Sequence, residues 1–323
     1  MMKKANVSIG QALPQASKML EHIISNVERV IIGKRDVIAL SLCALLCKGH
    51  VLIEDMPGVG KTSLVFALAK SFDCSFARIQ FTPDILPSDI TGFSVYNQKT
   101  GEFEFKKGGI WAQIVLADEL NRTSPKTQAS LLEAMDERQV TVDGKTYLLP
   151  EPFLVFATQN PTEYLGTYPL PEAQLDRFFM RLSMGYPSFA EEKEMVERFR
   201  GTNPLETLTP VSNAQSLQVM QDMVPHVYVE ESVGDYIVSI VRETRELDTL
   251  SLGASPRATL CLYRGAQAQA LLHARDYVIP EDVVKMAVPI LEHRLVFGQE
   301  AKMRKQSARE MVEDVLARVD TPR

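Results

Sequence analysis

One twelve-residue stretch, Val51-Leu-Ile-Glu-Asp-Met-Pro-Gly-Val-Gly-Lys-Thr62, constrains this chain more than any other. A short apolar run enters a glycine loop, and the chain continues at helical period from Thr62 to Lys70. A strand–loop–helix of this kind turns successive backbone N–H groups toward one point, and the positive N-terminal end of the helix adds to them. Pro57, Gly58, Val59, Gly60, Lys61, Thr62 and Ser63 are therefore the candidate phosphate-binding set. Gly58 and Gly60 let the backbone come close, Lys61 reaches β- and γ-phosphates, and Thr62 offers a hydroxyl to Mg²⁺. The usual pattern begins with glycine five residues before Gly60, and here that position holds Asp55. Aspartate tolerates left-handed or turn geometry better than most residues, so an intact loop is expected.

Around this loop the pattern is α/β. Leu13 to about Val30 and Asp36 to Lys48 read as helices that precede it, the first amphipathic and the second largely apolar. Ser75–Gln80, Ile114–Ala117 and Phe153–Thr158 read as strands, and Ser124–Glu137 reads as a helix. Two hairpins interrupt the alternation, one with its turn at Gly101 and one around Asp143-Gly144. Short buried strands alternating with helices predict a parallel sheet with helices on both faces over residues 1–186. From 187 to 323 the segments read as helices broken at Pro and Gly, which predicts a smaller all-helical domain.

Two carboxylates, Asp118 and Glu119, stand at the C-terminal end of an apolar strand, where open α/β sheets bind ligands. Downstream of a phosphate loop, Asp118 is the candidate to hold Mg²⁺ and Glu119 to polarise a water against the γ-phosphate. Asn160 ends the next strand, a neutral amide placed to orient that water or to bind the γ-phosphate. Arg177 lies just before another strand-like run, and Arg122 follows the acidic pair. Arg257 falls in the first turn of a helix whose predicted N-cap is Ser255, with Pro256 at the first position. A cation there opposes the helix dipole, which suggests a task such as reaching a phosphate.

Composition excludes several classes. With 45% hydrophobic and 24% charged residues, the chain lacks the low-hydrophobicity, high-charge signature of disorder. A net charge of −6 gives no domain-wide basic field for nucleic acid or an anionic membrane. The longest nearly apolar run, Val37–Cys47, is 11 residues, against the roughly 20 needed to span a bilayer. The N-terminal lysines precede no apolar stretch, so a cytoplasmic protein is expected. Cys43 and Cys47 with His50 have a metal-like spacing, but they sit on an apolar helix and read as core residues.

Assembled, these segments resemble the MoxR family of AAA+ ATPases from about residue 25 to the end. EDMPGVGKT resembles the Walker A loop of that family, and LADELNRTSPKTQASLLEAMDERQVTVDG its Walker B with the helix and hairpin behind it. FATQNPTEYLGTYPLPEAQLDRFFM resembles the sensor 1 strand and arginine-finger helix, and GASPRATLCLYRGAQAQALL the start of the helical lid. The resemblance implies a P-loop αβα sandwich with a helical lid, binding ATP and Mg²⁺ between the α/β domain and its own lid. It implies a ring, usually a hexamer, with Ile32 and Gly33 at the adenine and Arg257 as sensor 2. Arg177 would reach the neighbouring subunit's γ-phosphate, with Arg122 the alternative. It also implies a chaperone-like role and a partner carrying a von Willebrand factor A domain.

Three functions remain open on sequence: an ATPase that remodels a protein partner, a DNA-directed motor of the same architecture, and a nucleotide-gated scaffold with little turnover. Lys99, Lys106, Lys107 and Lys145 on the hairpins favour DNA, and the acidic balance opposes it. An intact Glu119 and Asn160 oppose the scaffold. Whether the hairpins meet protein or nucleic acid is undecided at this level.

Overall fold

The computed structural model describes residues 9–161, 166–299 and 307–322. Two helices, α1 (Ile9–Glu28) and α2 (Arg35–Leu46), lead into β1 (Val51–Glu54) and α3 (Lys61–Ser71). β2 (Phe76–Gln80), α4 (Pro87–Thr91) and the hairpin β3 (Gly92–Asn97)–β4 (Glu102–Lys107) follow. Next come β5 (Ile114–Asp118), α5 (Pro125–Glu137), the hairpin β6 (Gln139–Val142)–β7 (Lys145–Leu148) and β8 (Leu154–Gln159). The short α6 (Glu172–Leu175) precedes β9 (Met180–Leu182).

Five strands form one parallel sheet in the order β2-β5-β8-β1-β9. Alternation along the strands assigns side chains to the two faces. Val51, Ile53, Ile114, Leu116, Leu154 and Phe156 join one apolar cluster. Leu52, Val115, Ala117, Val155 and Ala157 join the other. That period-two division of continuous apolar strands is what burial on both faces requires. Both predicted hairpins form: Gly101 has φ 74°, while Asp143 and Gly144 have φ 50° and 75°, the left-handed pair of a tight two-residue turn.

Past β9 the chain is helical: α7 (Phe189–Arg198), α8 (Pro204–Thr207), α9 (Ala214–Met223), α10 (Glu231–Glu246), α11 (Pro256–Leu272), α12 (Pro280–Leu291) and α13 (Ala308–Arg318). One difference from the all-helical expectation is a small antiparallel ribbon, β10 (Leu250–Leu252) with β11 (Val296–Phe297). Three- and two-residue strands are too short to show alternation in sequence. The helical part packs on α1 and α2, so one apolar cluster runs from the sheet into the lid. Ser17 Oγ donates to Leu272 O at 2.8 Å, and Gln221 Nε2 to Leu45 O at 2.7 Å. Among the described residues no helix is long and apolar enough to cross a membrane.

Cys43 is a core residue, and Cys47 packs partly buried against the same core. Cys43 Sγ lies 3.4 Å from Gln269 Oε1, and burial pushes its thiol up to about 12. His50 points elsewhere: its Nδ1 accepts from Val155 N at 3.0 Å, which leaves Nε2 protonated to donate to Met135 O at 3.0 Å. Burial lowers this imidazole to about 4, so it is neutral.

Candidate nucleotide site and its two arginines

The phosphate loop leaves the C-terminal end of β1. Gly58 and Gly60 take φ 84° and 91°, left-handed values that favour glycine, and Gly60 leads into α3. Lys61 Nζ donates to the Asp55 carbonyl at 2.7 Å, so its side chain folds over the loop. Asp55 differs from the sequence expectation in its physical reason, because it is not left-handed. Its carboxylate is instead a buried hub that accepts from Met56 N, Ser183 Oγ, Met184 N and Gly185 N.

Asp118 ends β5, two strands from β1, and its carboxylate is held from two sides. Thr158 Oγ1 donates to Oδ1 at 2.6 Å, while Arg78 reaches Oδ2 at 2.7 Å through Nη2 and 3.1 Å through Nε. Glu119 follows with φ 58°, a left-handed conformation that a side-chain-bearing residue adopts at a cost of about 1–2 kcal/mol. Such strain persists where surrounding contacts over-determine it. Here the Glu119 N–H donates to Thr158 Oγ1 at 2.8 Å, Gln80 Nε2 donates to Glu119 Oε2 at 2.6 Å, and Arg122 Nη1 lies 3.3 Å from the same oxygen. Asn160, one residue beyond β8, is buried at the same ends of the strands. The structure thus brings Lys61, Thr62, Asp118, Glu119 and Asn160 to one end of the sheet.

Beside the loop opens a cleft of about 600 Å³, within the range of small-molecule sites. Ile31, Ile32, Pro57–Gly60 and Ser63 line one side, and Met184–Pro187 with Met195, Val196 and Phe199 of α7 line the other. Gly33 is pressed against α7: a Cβ there would lie 1.6 Å from Glu191 Oε1. The apolar lining suits a purine base, and it comes from α7 together with the strand exit.

Arg177 and Arg257 lie elsewhere. The N-terminal ends of the strands are marked by the Phe179 N–H donating to His50 O and by His50 holding Met135 of α5. At that end Asp136 of α5 pairs with Arg177 at 3.2 Å and with Arg257 at 3.8 Å. A strand of five residues such as β5 spans roughly 17 Å, so this end of the sheet is well separated from the end that carries the phosphate loop. Arg257 thus lies beside Asp136, toward the opposite ends of the strands from the phosphate loop. The lid docks α12 against β9 and carries the start of α11 to the opposite ends of the strands. Ser255 also differs from expectation: it occupies the N-cap position, but its hydroxyl donates to Asp176 at 2.9 Å instead of capping the helix. Buried Arg294 holds Asp176 Oδ1 at 2.8 Å and Phe178 O at 2.5 Å. One rigid corner thus presents both arginines. Arg122, by contrast, is engaged with its own Glu119.

The donor set fits Mg²⁺. The Thr62 hydroxyl and Asp118 carboxylate are hard oxygen ligands, and the described residues contain no group of three or more His, Cys, Asp or Glu able to hold a metal. A cation that keeps several waters and binds substrate phosphates needs no fuller protein cage.

Comparison with known proteins follows the same lines. The profile of the ATPase family associated with various cellular activities (AAA) matches residues 50–180, and an AAA lid domain profile matches residues 242–315. Chaperone MoxR1 of Mycobacterium tuberculosis is 42% identical over 94% of this chain and 82% of its own length. This chain belongs to the MoxR family of AAA+ ATPases. YeaC of Bacillus subtilis, an uncharacterised protein, is 54% identical over 96% of this chain and 95% of its own. A crystal structure of a Cytophaga hutchinsonii protein assigned as an ATPase superposes with a TM-score of 0.91, at 39% identity, covering 97% and 98% of the two chains. As a MoxR-family AAA+ protein, the chain is a nucleotide-binding one.

Sequence reasoning did not single out Arg78, Gln80, Thr158 or Asp136 in this MoxR-family site. For the first two a signal existed: in Phe76-Ala-Arg-Ile-Gln80, polar residues recur at period two on an edge strand paired with β5. Thr158 and Asp136 carry no such mark, because only tertiary packing brings them to their partners.

Proposed function

We propose that this protein hydrolyses ATP with Mg²⁺ in a ring of identical subunits, and one observation carries the reading: the phosphate-binding and water-activating groups sit at one end of the strands and the two candidate phosphate-sensing arginines at the other. A single chain holds both halves of an active site and cannot join them. Stacked head to tail, each subunit offers Arg177 and Arg257 to its neighbour's nucleotide. We place the boundary between the α/β core and the lid near residue 186.

In this reading ATP lays its base against Ile32, Gly33 and α7, and its phosphates along Pro57–Ser63. Thr62 and Asp118 would hold Mg²⁺, which would neutralise phosphate charge there. Lys61 swings from the Asp55 carbonyl to the phosphates. Glu119, freed from Gln80 and Arg122, accepts the proton of the attacking water, and Asn160 orients it. The neighbour's Arg177 and Arg257 stabilise the charge that builds on the γ-phosphate.

The chaperone name of MoxR1 supports a protein client over DNA. The hairpin β3–β4 supports it too. Tyr96 and Phe103 pair at 5.4 Å on its exposed surface, beside Glu102 and Glu104, with Lys99, Lys106 and Lys107 on the same hairpin. An exposed aromatic pair suits an apolar patch on a polypeptide, and the net charge of −6 of the whole chain opposes a polyanion. A partner with a von Willebrand factor A domain and a cytoplasmic location complete the proposal. The test is Glu119→Gln, which should bind ATP with unchanged affinity, lose more than roughly 100-fold in turnover, as loss of a general base does, and retain its client in an ATP-dependent pull-down. Turnover at the parent rate would sink the assignment.

A further inference from the structure

Asp55 stands where phosphate loops usually carry glycine, and it does a job glycine cannot do. Its Oδ2 accepts from Ser183 Oγ at 3.0 Å, Met184 N at 2.5 Å and Gly185 N at 2.7 Å, while Oδ1 accepts from Met56 N at 2.9 Å. Met184 and Gly185 belong to the base-side wall of the cleft, and Met56 to the phosphate loop. The carboxylate is buried, and hydrogen bonds to a charged acceptor are about twice as strong as neutral ones. The preceding residue repeats the connection: Glu54 pairs with Arg181 of β9 at 2.6 Å, and Arg181 with Glu292 beyond α12 at 3.1 Å.

We propose that Asp55 is a positioning residue that sets the spacing between the phosphate half and the base half of the nucleotide cleft. It acts through the Ser183–Gly185 segment and touches no substrate atom. The proposal rests on the nucleotide reading above. It implies that a ligand occupying both halves depends on Asp55, whereas one occupying only the phosphate half does not.

The experiment uses the full chain with ATP and inorganic tripolyphosphate as probes. Asp55→Asn sets an amide N–H₂ or a single carbonyl against three donors. It should raise KM for ATP roughly tenfold, the weight of about one charge-assisted hydrogen bond, leave kcat within about twofold, and leave the inhibition constant of tripolyphosphate unchanged. Ser183→Ala removes one donor and strands no charge, so it should shift KM the same way by about threefold. It decides the matter if the asparagine variant does not fold. An unchanged KM in both variants, or tripolyphosphate weakened in parallel with ATP, overturns the role of Asp55. If the parent protein itself fails to bind ATP, it is the nucleotide reading that falls.

Discussion

Thr158→Val isolates the tether on which the candidate general base depends. Thr158 is 1% exposed and makes two bonds, accepting from Glu119 N at 2.8 Å and donating to Asp118 Oδ1 at 2.6 Å. Valine keeps the shape and deletes both. A neutral N–H···O bond is worth about 1 kcal/mol and one to a carboxylate about 1.5–3, so the fold loses about 3 kcal/mol. At about 2 °C per kcal/mol for a chain of this size, the melting temperature should fall by about 6 °C. The functional effect is separate. Glu119 is held left-handed at φ 58° partly by this bond, and releasing it displaces the carboxylate. Misplacement of about 1 Å costs up to about 100-fold in rate, so kcat should fall roughly 10- to 100-fold with KM within about twofold. Thermal melts and steady-state ATP hydrolysis read both effects, with Thr158→Ser as the control that keeps the hydroxyl. A valine variant that melts early but turns over at the parent kcat would show that Thr158 does not hold Glu119 for catalysis.

Acid should destabilise the fold through its buried histidines. His50 is lowered to about 4 in the fold against an ordinary value near 6.5, so the unfolded chain binds more protons between these values. Stability from this group is complete above pH 6.5 and is lost as pH falls toward 4, by up to about 3 kcal/mol; His293, lowered by burial and by Arg294, adds in the same direction. Denaturant midpoints across that window check it, and His50→Gln should flatten the slope; a parent slope of zero would contradict the burial argument. Gly33→Ala should raise KM for ATP and cost about 2 kcal/mol, because the φ of 71° disfavours a side chain and the Cβ drives Glu191 out of the capping box it forms with Ser188. Titration with a fluorescent ATP analogue measures the affinity, and an unchanged value would remove Gly33 and α7 from the base site.

Much of the architecture was legible because its signals are local. Continuous apolar runs marked β1, β5 and β8, and Asp143-Gly144 marked a turn that only left-handed residues make. The phosphate loop and acidic pair were legible for the same reason, as each is a short segment whose chemistry follows from its spacing. The position of Arg257 was not. Its place in the first turn of α11 was readable, but the direction in which the lid docks depends on contacts between distant segments, such as Ser255 with Asp176 and Arg181 with Glu292. The role of Asp55 was hidden likewise, since its partners lie about 130 positions downstream.

The proposed working site is shared by two subunits. Its most direct test mixes two inactive proteins, Lys61→Ala, which cannot bind nucleotide, and a double variant Arg177→Ala with Arg257→Ala, which binds but lacks the opposing arginines. A mixed ring contains junctions where an intact phosphate loop meets intact arginines, so ATP hydrolysis should reappear in the mixture, at up to about a quarter of the parent rate for random pairing at equal amounts. A mixture no more active than its two components would contradict a site completed by the neighbour.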